Sequence, residues 1–77
     1  MLSYGAFVSD VLHLADTCPK SWRKGQSVFN VVDVKYGVAR KVQFSDNIDC
    51  FYDDNQIDPF LEAAYNRYQE LFESQKD

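Results

Sequence analysis

One histidine, one tryptophan, two cysteines, two prolines and three glycines are all that this 77-residue chain holds of those types. Each shortage removes a class of protein. Two cysteines, Cys18 and Cys50, are too few for the disulfide scaffold of small secreted domains, so reduced thiols are expected, with one Cys18–Cys50 bridge as the alternative. Gly5, Gly25 and Gly37 stand apart and match no phosphate-cradling loop. His13 has no evident acid and nucleophile arranged with it, so neither a Ser-His-Asp nor a Cys-His centre can be read, and a surface position is expected. A long apolar run is also missing. Residues 1–17 include Asp10 and Asp16 and lack a basic start, which fits neither a signal peptide nor a membrane span. A cytoplasmic protein without a membrane partner is the expectation. No repeat and no linker divides the chain, so a single domain over 1–77 is expected.

What the chain does have is aromatic side chains and an uneven charge. A domain this short hides only ~60% of the surface that its unfolded chain exposes. Six Phe, five Tyr and one Trp offset that by supplying large buried areas per side chain. Residues 1–44 carry six basic and three acidic groups, net +3, and residues 45–77 carry nine acidic and two basic, net −7. The overall −4 disfavours a dedicated nucleic-acid binder and leaves open a partner with a basic surface.

Periodicity predicts an all-α fold: a bundle of three main helices over about 3–17, 21–37 and 57–74, with an ordered loop 45–56 packed across them. In the first segment Tyr4, Phe7, Val8, Val11, Leu12, Leu14, Ala15 and Cys18 recur at helical steps, with Ser9, Asp10, His13 and Asp16 largely on the other face. Ser3 is the expected N-cap and Pro19 the stop. The second segment, Val28 to Tyr36, is rich in β-branched residues and has a hairpin alternative returning through Val38 to Phe44. At 100° per residue, however, Trp22, Val28, Phe29, Val32 and Tyr36 share one arc, with Gln26, Asn30, Asp33 and Gly37 opposite, and this spacing favours helix. Ser21 is the expected N-cap and Gly37 the expected C-terminal punctuation. Residues 38–42 read as a short helix or turn, and Ile48, Cys50, Phe51 and Tyr52 should pin the loop to the core. In the last segment Ile57, Phe60, Leu61, Ala64, Tyr68, Leu71 and Phe72 keep helical spacing, capped by Asp58 ahead of Pro59, or earlier by Asp54 or Asn55. Glu70, Glu73, Lys76 and Asp77 mark a solvated end.

Three constellations invite chemistry. Asp46, Asp49, Asp53, Asp54 and Asp58 could suggest a cation site, but no central glycine and closing glutamate accompany them, so caps and turns are expected and no metal or other cofactor. Lys20, Arg23 and Lys24 around Trp22 could meet nucleic acid, helped by Arg40 and Lys41; the favoured reading is an exposed helix start with Trp22 turned inward. Gln26, Asn30 and Asp33 form a polar row that either faces water or bonds a returning loop. Gly25 on a predicted helix costs up to ~1 kcal/mol relative to Ala, which points to another segment packing closely there.

Trp22-Arg23-Lys24-Gly25-Gln26-Ser27-Val28-Phe29-Asn30, followed by Asp49-Cys50-Phe51-Tyr52-Asp53-Asp54 and then Ile57 and Phe60, resembles a family of small uncharacterised proteins of bacteria and their phages. Their pattern is W-R-x-G-Q-x-x-F-N, then D-P-F-Y-D-D, then an amphipathic tail. The similarity spans most of residues 7–65. Cys50 stands where proline is usual, and the valine-rich run departs from more helix-favouring residues. The resemblance implies a compact helical fold and a phage or prophage setting, and no reaction.

The sequence thus predicts a non-enzymatic protein-interaction module with an unidentified protein partner, engaged through the acidic C-terminal half. The candidate motif and interaction residues are Trp22, Arg23, Gly25, Gln26, Asn30, Phe51, Tyr52, Asp53 and Asp54. The alternative is a weak nucleic-acid binder using Lys20, Arg23, Lys24, Arg40 and Lys41. A hydrolase built on the loop aspartates is the third and least favoured reading.

Overall fold

The computed structural model describes residues 2–75, with side chains through Leu71, and its first helix starts where capping chemistry places it. Ser3 is extended, and its hydroxyl accepts the Ala6 amide at 3.2 Å, opening α1 (Tyr4–Ala15). The helix unwinds through a turn at 16–18 just before Pro19. Phe7, Val11 and Ala15 form its buried stripe.

The valine-rich segment is helical, as its spacing predicts, and no strand occurs among the described residues. The valines' mild cost in a helix is outweighed by burial, since Val28 and Val32 are fully enclosed and Val31 nearly so. This second helix differs from its expected form at both ends. It begins at Lys24, in α2 (Lys24–Val31), and the Ser21 side chain does not cap it. Residues 19–22 instead close a turn in which the Pro19 carbonyl accepts the Trp22 amide at 3.0 Å, and Arg23 is extended. Trp22 therefore precedes the helix, its wheel position does not apply, and it lies 37% exposed rather than in the core. At the other end, Val32–Tyr36 widens into a π-helical turn in which the Val32 carbonyl accepts the Gly37 amide at 2.9 Å. Gly37 stops it in the left-handed region, φ 70°, a conformation glycine adopts at no steric cost.

A short helix follows, α3 (Ala39–Ser45), settling the helix-or-turn alternative for that stretch as helix and extending it to Ser45. The chain then runs irregularly from 46 to 53, passes a 3-10 turn at Asp54–Gln56, and enters α4 (Ile57–Gln75). Asp58 lies inside the first turn of α4 and Asn55 inside the 3-10 turn before it. The carboxylate of Asp53 accepts the Asn55 amide at 3.0 Å, and Asp54 has a more distant task described below. Pro59 sits inside the first turn of α4, where its missing N–H costs nothing. The expectations placed on Phe72, Glu73, Lys76 and Asp77 concern side chains or residues outside those described.

One contiguous core joins the helices. Phe7 and Val11 from α1 meet Val28 and Phe29 from α2, Val42 from α3, Cys50 from the loop, and Phe60, Leu61 and Ala64 from α4. Aromatic rings staple it: Phe7 lies against Tyr36 at 4.8 Å and Tyr65 at 5.6 Å, and Tyr36 against Tyr68 at 4.9 Å. Tyr4, expected on the apolar face, is 41% exposed and covers the edge of Tyr65. The phenol of Tyr65 donates to the Leu2 carbonyl at 2.8 Å, holding the N-terminal segment on α4.

Two ion-pair networks tie surface elements. Asp10 of α1, from the face read as polar, accepts Lys35 Nζ at 2.7 Å and the Tyr36 phenol at 2.5 Å. Arg67 of α4 donates from Nε and Nη2 to Asp46, at 3.1 and 2.7 Å, a paired geometry that clamps the end of α3. These partners hold both aspartates below the ordinary carboxylate range, through hydrogen bonds first and charge second. Among the described residues no helix is long and apolar enough to cross a membrane.

Candidate interaction surface

Helix α2 has no local N-cap, and that vacancy organises the two sequence motifs. The first amides of any helix lack intrahelical partners, and the Arg23 side chain supplies no bond. Asp54, twenty-nine residues along the chain, reaches back instead: its Oδ1 accepts the Gly25 amide at 3.0 Å. A carboxylate there also faces the positive end of the helix dipole. The approach depends on glycine. A β-carbon on Gly25 would fall 2.0 Å from the Cys50 carbonyl oxygen and 2.8 Å from Asp54 Oδ1. The Cys50 thiol completes the contact by donating to the Gly25 carbonyl at 3.3 Å, and Phe51 stands edge-on to Phe29 at 5.6 Å.

Of the loop aspartates, Asp49, Asp53 and Asp54 serve as turn and cap residues, whereas Asp46 is an ion-pair partner. Asp46 holds Arg67; Asp49 accepts the Phe51 amide at 2.8 Å and Gln43 Nε2 at 2.9 Å; Asp53 and Asp54 cap as described. Among the described residues, no group of three or more His, Cys, Asp or Glu is placed to hold a metal ion.

The thiols differ in kind. Cys50 is fully buried, and burial, with Asp49 nearby, pushes its pKa up to about 12. Cys18 is half-buried at the end of α1, its thiol directed at the Leu14 carbonyl at 3.8 Å. A thiol-reactive probe on the native protein should label Cys18 alone, with Cys50 reacting only in denaturant. Rapid labelling of both would contradict the seating of Cys50 on Gly25. Because the folded state keeps Cys50 neutral while the unfolded thiol ionises near its ordinary 9.0, stability should fall as pH rises from about 9 towards 12. Tyr36, whose pKa is raised by burial and then by its bond to Asp10, adds to the same alkaline loss. On the acid side the lowered Asp10 and Asp46 contribute stability that is lost as pH falls below about 4. Urea midpoints against pH should show a plateau between these limits, and Cys50→Ala should shallow the alkaline limb.

The motif residues thus separate into two groups. Gly25, Phe51 and Asp54 hold the loop on α2, and Asp53 caps the turn beside it. Gln26 and Asn30 are half-buried, and Asn30 borders a groove on the α1 side rather than meeting the loop. Of the four residues expected to pin the loop, Ile48, Cys50 and Phe51 pack on the core, whereas Tyr52 is 70% exposed. Trp22 and Arg23 face solvent.

Trp22 borders the most apolar depression described, a groove of about 340 Å³ between the end of α1 and the π turn. Leu14, Cys18, Val31 and Val34 line it with Trp22, and Val34 is 86% exposed. On its other side Trp22 borders a second depression with Lys20, Lys24 and Asp16. Arg40 belongs elsewhere, beside Phe44 and Tyr52, so the cations grouped in the nucleic-acid reading are divided between separate depressions. At 100° per residue Val34 falls on the side of the helix away from Val28, Val32 and Tyr36, so its exposure follows from helical spacing, whereas the α1 wall that makes it a groove edge does not. Compared with family models, curated proteins and solved structures, the chain matches none.

Proposed function

We propose that this chain is a non-enzymatic protein-interaction module whose binding face is the groove beside Trp22. The observation that carries this reading is an apolar groove with an almost fully exposed valine and a partly exposed tryptophan at its edge, on elements held by the core. Apolar side chains left in water favour burial by a partner, and tryptophan is among the residues that dominate interface energetics. The acidic C-terminal half serves this reading less well than its charge suggested, because Asp46, Asp49, Asp53 and Asp54 accept internal hydrogen bonds. A cytoplasmic, phage or prophage setting rests on the motif resemblance and the composition.

Affinity capture from bacterial lysate tests the reading. A specific protein should be retained by the wild type and by Tyr52→Ala, and lost with Val34→Asp, an exposed substitution that leaves the core alone. Retention unchanged by Val34→Asp would place binding elsewhere. Tight DNA or RNA binding with a steep salt slope would replace the reading with the nucleic-acid one.

A further inference from the structure

We infer that the Trp22 face takes an acidic peptide segment bearing a bulky apolar side chain; this rests on the interaction reading above and specifies the partner's chemistry. Two adjacent depressions share Cys18 and Trp22 as a common wall. One is lined by Leu14, Val31 and Val34 and is suited to an aliphatic or aromatic side chain. The other presents Lys20 and Lys24, and Arg23 stands exposed between them in sequence.

Charge complementarity identifies the occupant. Among the described residues the ion pairs engage Lys35, Arg40 and Arg67, and leave Lys20, Arg23 and Lys24 without acidic partners. Asp16 lines the same depression with Lys20 and Lys24, so its balance is two cations against one carboxylate, with exposed Arg23 next to it in sequence, positive on a chain whose total is −4. A ligand that places an apolar group in the groove therefore brings its neighbouring residues over unpaired cations. Carboxylates satisfy them; lysines are repelled. A polynucleotide fits less well, since three cations give a short phosphate track and the adjoining groove offers it chiefly aliphatic walls. The start of α2 provides no further anion site at Gly25, whose amide already bonds Asp54.

The test is selection of a displayed random peptide library on the immobilised full-length chain, followed by titration of the selected peptides through the fluorescence of Trp22, the only tryptophan. The expected consensus pairs Leu, Ile or Phe with two or more Glu or Asp. Val34→Asp and the Lys20→Glu/Lys24→Glu double variant should each weaken such peptides by at least about tenfold, with Tyr52→Ala unchanged. A charge-reversed peptide should bind at least about tenfold more weakly to the wild type and recover on the double variant. A basic or uncharged consensus that still depends on Val34 would overturn the acidic ligand and leave the interaction reading standing. No enrichment, or enrichment indifferent to Val34→Asp, would overturn both. Sedimentation showing a dimer that dissociates on Val34→Asp would assign the groove to a second copy and overturn the peptide proposal.

Discussion

Gly25→Ala should destabilise the protein by roughly 3 kcal/mol, although in an ordinary helix the same change is favourable by up to ~1 kcal/mol. The added methyl would stand 2.0 Å from the Cys50 carbonyl oxygen, and that obstacle is backbone and cannot rotate away. Either α2 or the strap must shift. The Asp54–Gly25 bond then lengthens, the Cys50 thiol loses its carbonyl, and Phe51 is drawn off Phe29. For a domain of this size, total stability on the order of 5–10 kcal/mol makes such a loss severe, and the melting temperature should drop by about 15 °C. Gly5 provides the opposite result within the same molecule. It lies on the exposed side of α1 with nothing within 4 Å of an added β-carbon, so Gly5→Ala should stabilise by about 0.5–1 kcal/mol. Thermal unfolding of the two variants checks both signs. A neutral Gly25→Ala would mean the strap does not sit where the close approach places it.

Phe7→Ala should cost about 3–5 kcal/mol, the range for truncating a fully buried phenylalanine. The ring touches both Tyr36 and Tyr65, so its removal opens a cavity between the π turn and α4. Tyr36 can then move into the space, away from Asp10, and the acid-side and alkaline pH dependences should weaken together with stability. Urea denaturation at neutral pH gives the magnitude, and its repetition at pH 10 tests the coupling. A loss below about 1 kcal/mol would show that the aromatic cluster is not what joins α1 to α4.

Much of the fold was legible because it depends on local periodicity. The buried stripes of α1 and α4 follow from spacing, Ser3 from capping chemistry, and Gly37 from its tolerance of positive φ. Gly25 could also be read, since a glycine that weakens a helix needs a neighbour to justify it. What escaped reading is non-local or breaks the period. Ser21 is a sound local cap, yet the helix begins three residues later, where a carboxylate from residue 54 accepts the Gly25 amide. With the helix starting late, Trp22 falls in a turn and leaves the core. The π turn before Gly37 leaves no mark on the helical spacing, and the bonds of Lys35 and Tyr36 to Asp10 are non-local. Asp10 itself looked like an ordinary exposed helix residue, because its partners lie twenty-five residues away. The groove was invisible for the same reason: its walls come from two segments brought together only by the fold.

The two motifs form one clip, in which Asp54 caps α2 across the chain and leaves the Trp22 face for binding. Hydrogen exchange at the Gly25 amide tests it most directly. As a first-turn helix amide it has no intrahelical acceptor, so protection there can come only from outside the helix. The predicted result is an amide protected well beyond those of Arg23 and Lys24, with that protection lost in Asp54→Ala while the protection of core amides such as Val32 persists. A Gly25 amide that exchanges as freely as an unstructured one, or that is indifferent to Asp54→Ala, would contradict the clip.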